Sequence, residues 1–154
     1  MILERTTVVD APAATVWAFF SDPANLAKIT PPSMGFQIVS SPGRTLQAGD
    51  RIDYRIRIGG LPVRWRTLIS GWDPPRSFTD EQEKGPYRRW IHHHTFQPMG
   101  DGKVLVTDHV DYELPFGILG RLAGGFWVRR QLRKVFDYRS EIIRRQFGAE
   151  EDLG

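Results

Sequence analysis

The sequence predicts an α+β fold: one strand, two short helices, six further strands in an antiparallel meander, and a long C-terminal helix lying on the sheet. Three observations carry that expectation. Gly and Pro groups punctuate residues 35–112 at short intervals, and the runs between them alternate apolar and polar side chains. After Pro115 the apolar period lengthens from two residues to a helical repeat.

Ile2 to Val9 alternates as a short strand, and Asp10-Ala11-Pro12 follows as a helix start, Asp10 as cap and Pro12 in the first turn. Val16, Trp17, Phe19 and Phe20 give this helix its apolar face up to Ser21-Asp22-Pro23. Pro23 opens a second short helix carrying Leu26 and Ile29, closed by Thr30-Pro31-Pro32. Breaks at Ser41-Pro42-Gly43, Gly59-Gly60, Asp73-Pro74-Pro75, Gly85-Pro86 and Gly100-Asp101-Gly102 then separate the strands, about seven in all. Beyond Gly117, the residues Ile118, Leu122, Phe126, Leu132, Val135, Phe136, Ile142 and Phe147 form the stripe of a long amphipathic helix. Residues 1–148 are expected to form one domain, with 149–154 a flexible tail.

Composition narrows the function classes. The chain has 154 residues, 40% of them hydrophobic, enough for one substantial core. The absence of cysteine excludes disulfides and thiolate metal sites, and disfavours redox chemistry by the protein itself. No Gly-x-Ser-x-Gly elbow and no phosphate loop is present, which disfavours covalent hydrolysis and nucleotide chemistry. Neither a secretory leader nor a long apolar run is present, so a soluble cytoplasmic protein is expected. Formal net charge is only +3, yet Arg121, Arg129, Arg130, Arg133, Lys134, Arg139, Arg144 and Arg145 crowd the C-terminal segment against Asp137 and Glu141. A solvated helix face explains such a run, with weak contact to an anionic membrane or an acidic partner as the alternative. Nucleic acid is not expected, because no RNP, zinc-finger or helix-turn-helix pattern occurs.

The stretch from Gly85 to Phe96 is the most informative for function. Alternation places Trp90, His92, His94 and Phe96 on one strand face, and a face mixing aromatics with two imidazoles suits the wall of a binding cavity. A hairpin centred on Gly100 sets His92 opposite Asp108, His94 opposite Val106 and Trp90 opposite Val110; one centred on Gly85-Pro86 sets Phe78 beside His92 and Asp80 beside Trp90. Asp80 and Asp108 then bracket the imidazoles. The candidate catalytic residues are therefore His92, His94, Asp80 and Asp108, with an inward carboxylate expected to raise the His92 pKa and fix its tautomer. A buried structural network, hydrogen bonding to a ligand, and acid/base catalysis all remain open for them. A metal site is the weakest reading, because a His-x-His pair lacks further imidazoles on its own face and His93 and His109 point the other way. Tyr54, Ile56 and Ile58, like Val63, Trp65 and Thr67, alternate with outward arginines; Tyr54 and Trp65 either line the cavity or pack against the helix. The glycines at 117, 120, 124 and 125 leave space beside the cavity or loosen the helix start next to Gly59-Gly60, a candidate ligand gate.

The order of elements resembles the helix-grip fold of the Bet v 1/START (SRPBCC) superfamily over nearly the whole chain. Asp80-Glu81-Gln82, Gly85-Pro86-Tyr87, Trp90-x-His92-x-His94-x-Phe96, Asp108-x-Val110-x-Tyr112 and Leu114-Pro115-Phe116-Gly117 are similar to a bacterial cyclase/dehydrase-like branch of it. The resemblance implies a curved sheet wrapped around the long helix, with an apolar cavity between them. With it, Gln82, Val110, Tyr112 and Phe126 join Tyr54, Trp65, Phe78, Phe96 and the residues above as candidate ligand contacts. The expected function is binding of a small hydrophobic molecule, lipid-, quinone- or polyketide-like, without cofactor or metal. The alternatives are a polyketide cyclase/dehydratase-type enzyme using a His/Asp pair, and a protein- or ribosome-interaction module. A monomer or homodimer is expected.

Overall fold

A computed structural model of the protein describes residues 1–147. The tail expected at 149–154 lies outside the described residues. The elements, in chain order, are β1 (Ile2–Val9), α1 (Ala13–Phe20), two single 3-10 turns (Pro23–Ala27 and Pro32–Met34), β2 (Gln37–Ser40), β3 (Arg51–Ile58), β4 (Leu61–Asp73), β5 (Ser77–Lys84), β6 (Arg89–Pro98), β7 (Val104–Glu113) and α2 (Gly117–Gln146). The seven strands form one sheet in the order β1-β7-β6-β5-β4-β3-β2, and every neighbouring pair is antiparallel. Strands β2 to β7 therefore run as a meander, and β1 adds to its far edge. This is the helix-grip fold.

Curvature has a local cause. β4 shifts register against β5 twice, between Arg66 and Thr67 and between Ile69 and Gly71, and such bulges bend a strand and increase its twist. At Gly71 a Cβ would stand 3.1 Å from Thr79 Oγ1, so glycine at the second bulge lets the neighbouring strand approach closely. The sheet bends around α2, whose Leu132, Phe136 and Ile143 sit at helical spacing on the buried face. At one end Val16, Phe19 and Phe20 of α1 pack with Phe78, Phe96, Val104, Val106 and Ile143. At the other, Ile56, Trp65, Trp90, Val110 and Tyr112 pack with Leu132 and Phe136. On the outer face Asp53 and Arg66 are register partners and form an ion pair at 2.8 Å.

Three local expectations are corrected. Asp10 does not cap α1; Pro12 occupies that position without a side-chain hydrogen bond, and the helix begins at Ala13. The second short helix is a 3-10 turn over Pro23–Ala27, held by Asp22 Oδ1 accepting from the Ala24 N–H, and Ile29 lies beyond it. Ile118, Leu122 and Phe126, placed by periodicity on the sheet-facing stripe, are exposed, because the first turns of α2 project past the sheet. Their spacing is helical, but only Gly125 in that stretch is covered.

Candidate functional site

The candidate site is a cavity of ≈ 180 Å³ between the inner face of the sheet and α2. Strand alternation aims Tyr54 and Ile56 of β3, Trp65 and Thr67 of β4, Phe78 and Asp80 of β5, and Trp90, His92 and His94 of β6 into it, while Leu132, Val135, Phe136 and Arg139 close it from the helix. Its walls are mostly apolar. One region is polar, where Asp80, His92, His94 and Arg139 meet in front of Asp108.

Both expected hairpin registers are offset by two residues. His94 pairs with Asp108, His92 with Val110 and Trp90 with Tyr112; Phe78 pairs with His94 and Asp80 with His92. An even offset keeps every side chain on its face, so the carboxylates still bracket the imidazoles. His93 and His109 point outward and bond Thr79 and Glu4 instead.

Carboxylates accept only, and this fixes the protons. His92 Nε2–H donates to Asp108 Oδ1 at 2.9 Å, which leaves its Nδ1 toward Asp80 Oδ2, 3.8 Å away. His94 Nε2–H donates to Asp80 Oδ2 at 2.5 Å. His94 Nδ1 and Arg139 Nη2 both converge on Asp108 Oδ1, at 3.3 and 3.1 Å. Arg139 Nη2 also lies 3.2 Å from His94 Nδ1, so two buried carboxylates share one permanent cation with the two imidazoles.

The proton affinities follow. For Asp108, burial works against ionisation, but Arg139 and then the hydrogen bonds from His92 and His94 outweigh it and hold the carboxyl well below its ordinary range. Asp80 is likewise lowered, against burial, by His92, His94 and Arg139. The His92 pKa is pushed down to about 4, first by burial and then by His94, more than Asp108 and Asp80 can offset. This corrects the expectation that a carboxylate raises it. The raised imidazole is His94: burial pushes it down, and the bonds to Asp108 and Asp80 together push it up by more. The two rings lie 3.7 Å apart at centroid, so protonating one opposes protonating the other.

Asp80, His92 and His94 each offer a metal-ligating atom, all within 4.8 Å of one another. His92 Nδ1 and His94 Nε2 both face Asp80 Oδ2, at 3.8 and 2.5 Å, and the Arg139 guanidinium, 3.2 Å from His94 Nδ1, sets a permanent cation beside them that works against a metal ion.

Of the other expected ligand contacts, Tyr54, Trp65, Phe78 and Trp90 line the cavity. Phe96, Val110 and Tyr112 are buried behind that wall, Phe96 among Trp17, Phe20 and Phe78, and Tyr112 against Trp90 and Tyr87. Gln82 is spent on the β5–β6 turn, its amide donating to the Tyr87 carbonyl and accepting from the Tyr87 N–H. Phe126 is 81% exposed on α2 and lies outside the cavity, for the reason given above. Arg139 was placed in the basic run by composition, yet it is buried, with its guanidinium over the Phe20 and Phe136 rings at 5.1 and 5.9 Å. Its position could have been read from the stripe, since it stands three residues after Phe136 and four before Ile143.

The fold recurs in solved structures of low sequence identity. The Zhui aromatase/cyclase of Streptomyces sp. R1128 superposes with a TM-score of 0.74 at 16% identity, covering 100% of this chain and 98% of its own. A START superfamily protein from Mycobacterium smegmatis gives 0.72 at 13%, covering 96% and 97%. Ginseng major latex-like protein 151 from Panax ginseng gives 0.69 at 16%, also covering 96% and 97%. No curated protein matches the sequence. The family model described as polyketide cyclase/dehydrase and lipid transport matches residues 2–147, and so the chain belongs to that family.

Proposed function

We propose that the protein binds a small, largely apolar molecule in the cavity between the sheet and α2, its oxygen-bearing end turned toward His92, His94 and Arg139. The observation that carries this reading is a pair of unused donors. Trp65 Nε1–H and Arg139 Nε–H are buried and find no hydrogen-bond partner among the described residues, and both side chains line the cavity. Buried polar groups are normally satisfied, so a ligand acceptor such as a carbonyl oxygen suits them. Size bounds the ligand. An apolar cavity of about 150 Å³ takes benzene, so ≈ 180 Å³ suits one or two rings rather than a whole long-chain lipid.

Native mass spectrometry of freshly purified protein, followed by denaturation and identification of any released compound, tests the reading directly. A retained one- or two-ring oxygenated compound supports it. Trp65→Phe tests the donor: affinity for that compound, or for 1-naphthol as a probe, is expected to fall about tenfold for one lost hydrogen bond. The ligand-free variant is expected to stay folded and melt somewhat lower, because the smaller ring leaves space against Tyr54 and Trp90. Unchanged affinity in calorimetric titration would sink this role for Trp65.

A second reading, cyclase- or dehydratase-type acid/base catalysis, is favoured by the opposed imidazoles. Neighbouring groups with proton affinities pushed apart suit paired acid and base roles. Here His92 Nδ1 would take a proton from a bound keto compound, Asp108 holding its tautomer, while the unpartnered Arg139 Nε–H steadies the enolate oxygen that forms. Under this reading His92→Gln abolishes conversion of the retained compound and leaves its binding within about threefold. If the compound is bound but never converted, binding alone remains.

A further inference from the structure

We propose that the first three turns of α2, together with the β3–β4 turn, form a docking surface for an anionic lipid bilayer. The inference goes beyond the cavity reading and does not depend on what the cavity holds. Phe116, Leu119, Leu122 and Phe126 are 84, 74, 81 and 81% exposed, values that mean side chains standing clear of the protein. Scattered exposed apolar residues are ordinary, but a contiguous group marks an interaction site. Leu61 is equally exposed in the adjoining turn, where the Trp127 ring lies 3.6 Å from the place a Gly59 Cβ would occupy. Trp127 itself is partly exposed, as aromatic residues at a membrane interface are.

The charge pattern selects the occupant. From Leu114 to Phe136 there is no acidic residue, while Arg121, Arg129, Arg130, Arg133 and Lys134 are all present. At about 100° per residue, Leu119, Leu122 and Phe126 fall on one stripe of the helix, and Arg129, Arg130 and Arg133 continue that stripe. The arginines begin about 4.5 Å beyond Phe126 along the axis and extend to about 10 Å. That matches an interface in which apolar side chains enter about 5–10 Å and cations stay at the phosphate level. No described helix is long and apolar enough to span a membrane, so the contact is at the surface. A second copy of the chain fits less well, because it brings the same cations and no carboxylate to the patch.

Co-sedimentation with sucrose-loaded vesicles tests this. On phosphatidylcholine containing one-third phosphatidylglycerol, the protein is expected to partition at least about tenfold more strongly than on pure phosphatidylcholine, since each interfacial arginine contributes about fivefold. The double variant Leu122→Asp with Phe126→Asp should lose more than about tenfold on the anionic vesicles, and Arg129→Glu with Arg130→Glu and Arg133→Glu should erase the preference for them. All five sites are exposed, so unchanged melting curves will verify that the variants fold. A wild-type protein that stays in the supernatant, or partitioning unchanged in the Leu122/Phe126 variant, overturns the proposal. So does a solution dimer that the Leu122/Phe126 variant dissociates while neither form binds vesicles, which would assign the patch to a second copy.

Discussion

Arg139→Met is expected to lower the free energy of unfolding by about 3–5 kcal/mol at neutral pH, the usual result of removing one partner from a buried ion pair. The side chain it replaces lies 3.1 Å from Asp108 Oδ1 and packs over Phe20 and Phe136. Methionine keeps the aliphatic packing and removes only the charge and donors. Asp108, 1% exposed, then keeps just His92 and His94 for partners, while Asp80 still claims His94. Urea denaturation at fixed pH measures the loss, and a double-mutant cycle identifies its source. Adding Asp108→Asn should recover part of it, because the uncompensated carboxylate goes and the amide can still accept from His92. A loss below about 1 kcal/mol, or additive effects of the two substitutions, would show that Arg139 does not hold the buried charge.

The architecture and all of the polar cluster but Arg139 were legible in the sequence for a simple reason. Strand alternation has a period of two, so locating a turn to within two residues is enough to sort faces, provided the error is even. Both hairpin centres were misplaced by one residue, from Gly100 to Asp101 and from Gly85-Pro86 to Pro86, and each moved the register by two. Asp80, His92, His94 and Asp108 therefore met as expected. Helical periodicity is less forgiving. It shows which residues share a stripe but not where along the helix the sheet ends, so Phe126 and Leu122 were assigned to an interior that stops short of them. Arg139 was hidden differently: residue type outweighed position, and a cation in a basic run reads as solvated even when its spacing from Phe136 and Ile143 is that of the core. The direction of the His92 shift depends on three-dimensional burial and on a second imidazole stacked against it, neither of which a pairing pattern contains.

That stacking bears on the charge balance of this wall. The two buried carboxylates share one permanent cation, Arg139, with the two imidazoles. Tyr54 and Tyr87 add no charge, since burial first of all lifts both phenols well above their ordinary range. The polar end of the cavity therefore sets an imidazole of raised proton affinity, His94, beside one of lowered affinity, His92. A carbonyl placed there meets the unpartnered Arg139 Nε–H; a hydroxyl meets a lone pair on His92 Nδ1. On the two readings proposed above, recognition and proton transfer would draw on neighbouring atoms of one wall.

Lowering the pH from neutrality to about 4 is expected to cost the folded state about 3 kcal/mol through His92 alone. In the unfolded chain His92 takes up its proton at its ordinary value of 6.5, whereas in the fold it does so only at about 4. Between these values the unfolded state binds the extra proton and gains as the pH falls; the difference, at about 1.4 kcal/mol per unit, gives the figure. His94 works in the opposite direction. Its folded-state value is raised, so its contribution is complete below 6.5 and is lost as the pH climbs through the folded value. Asp80 and Asp108 are lowered from 3.8, so what they contribute persists above that value and disappears only in stronger acid. One stacked pair thus produces an acid limb and an alkaline limb, with greatest stability near the pH where unfolded histidine titrates. Urea midpoints followed from about pH 4 to about pH 9 resolve the two limbs. His92→Gln, which can still donate to Asp108, should flatten the acid limb and spare the alkaline one; His94→Gln should do the reverse. An acid limb that survives unchanged in His92→Gln would place the destabilising proton elsewhere and remove the case for a neutral His92.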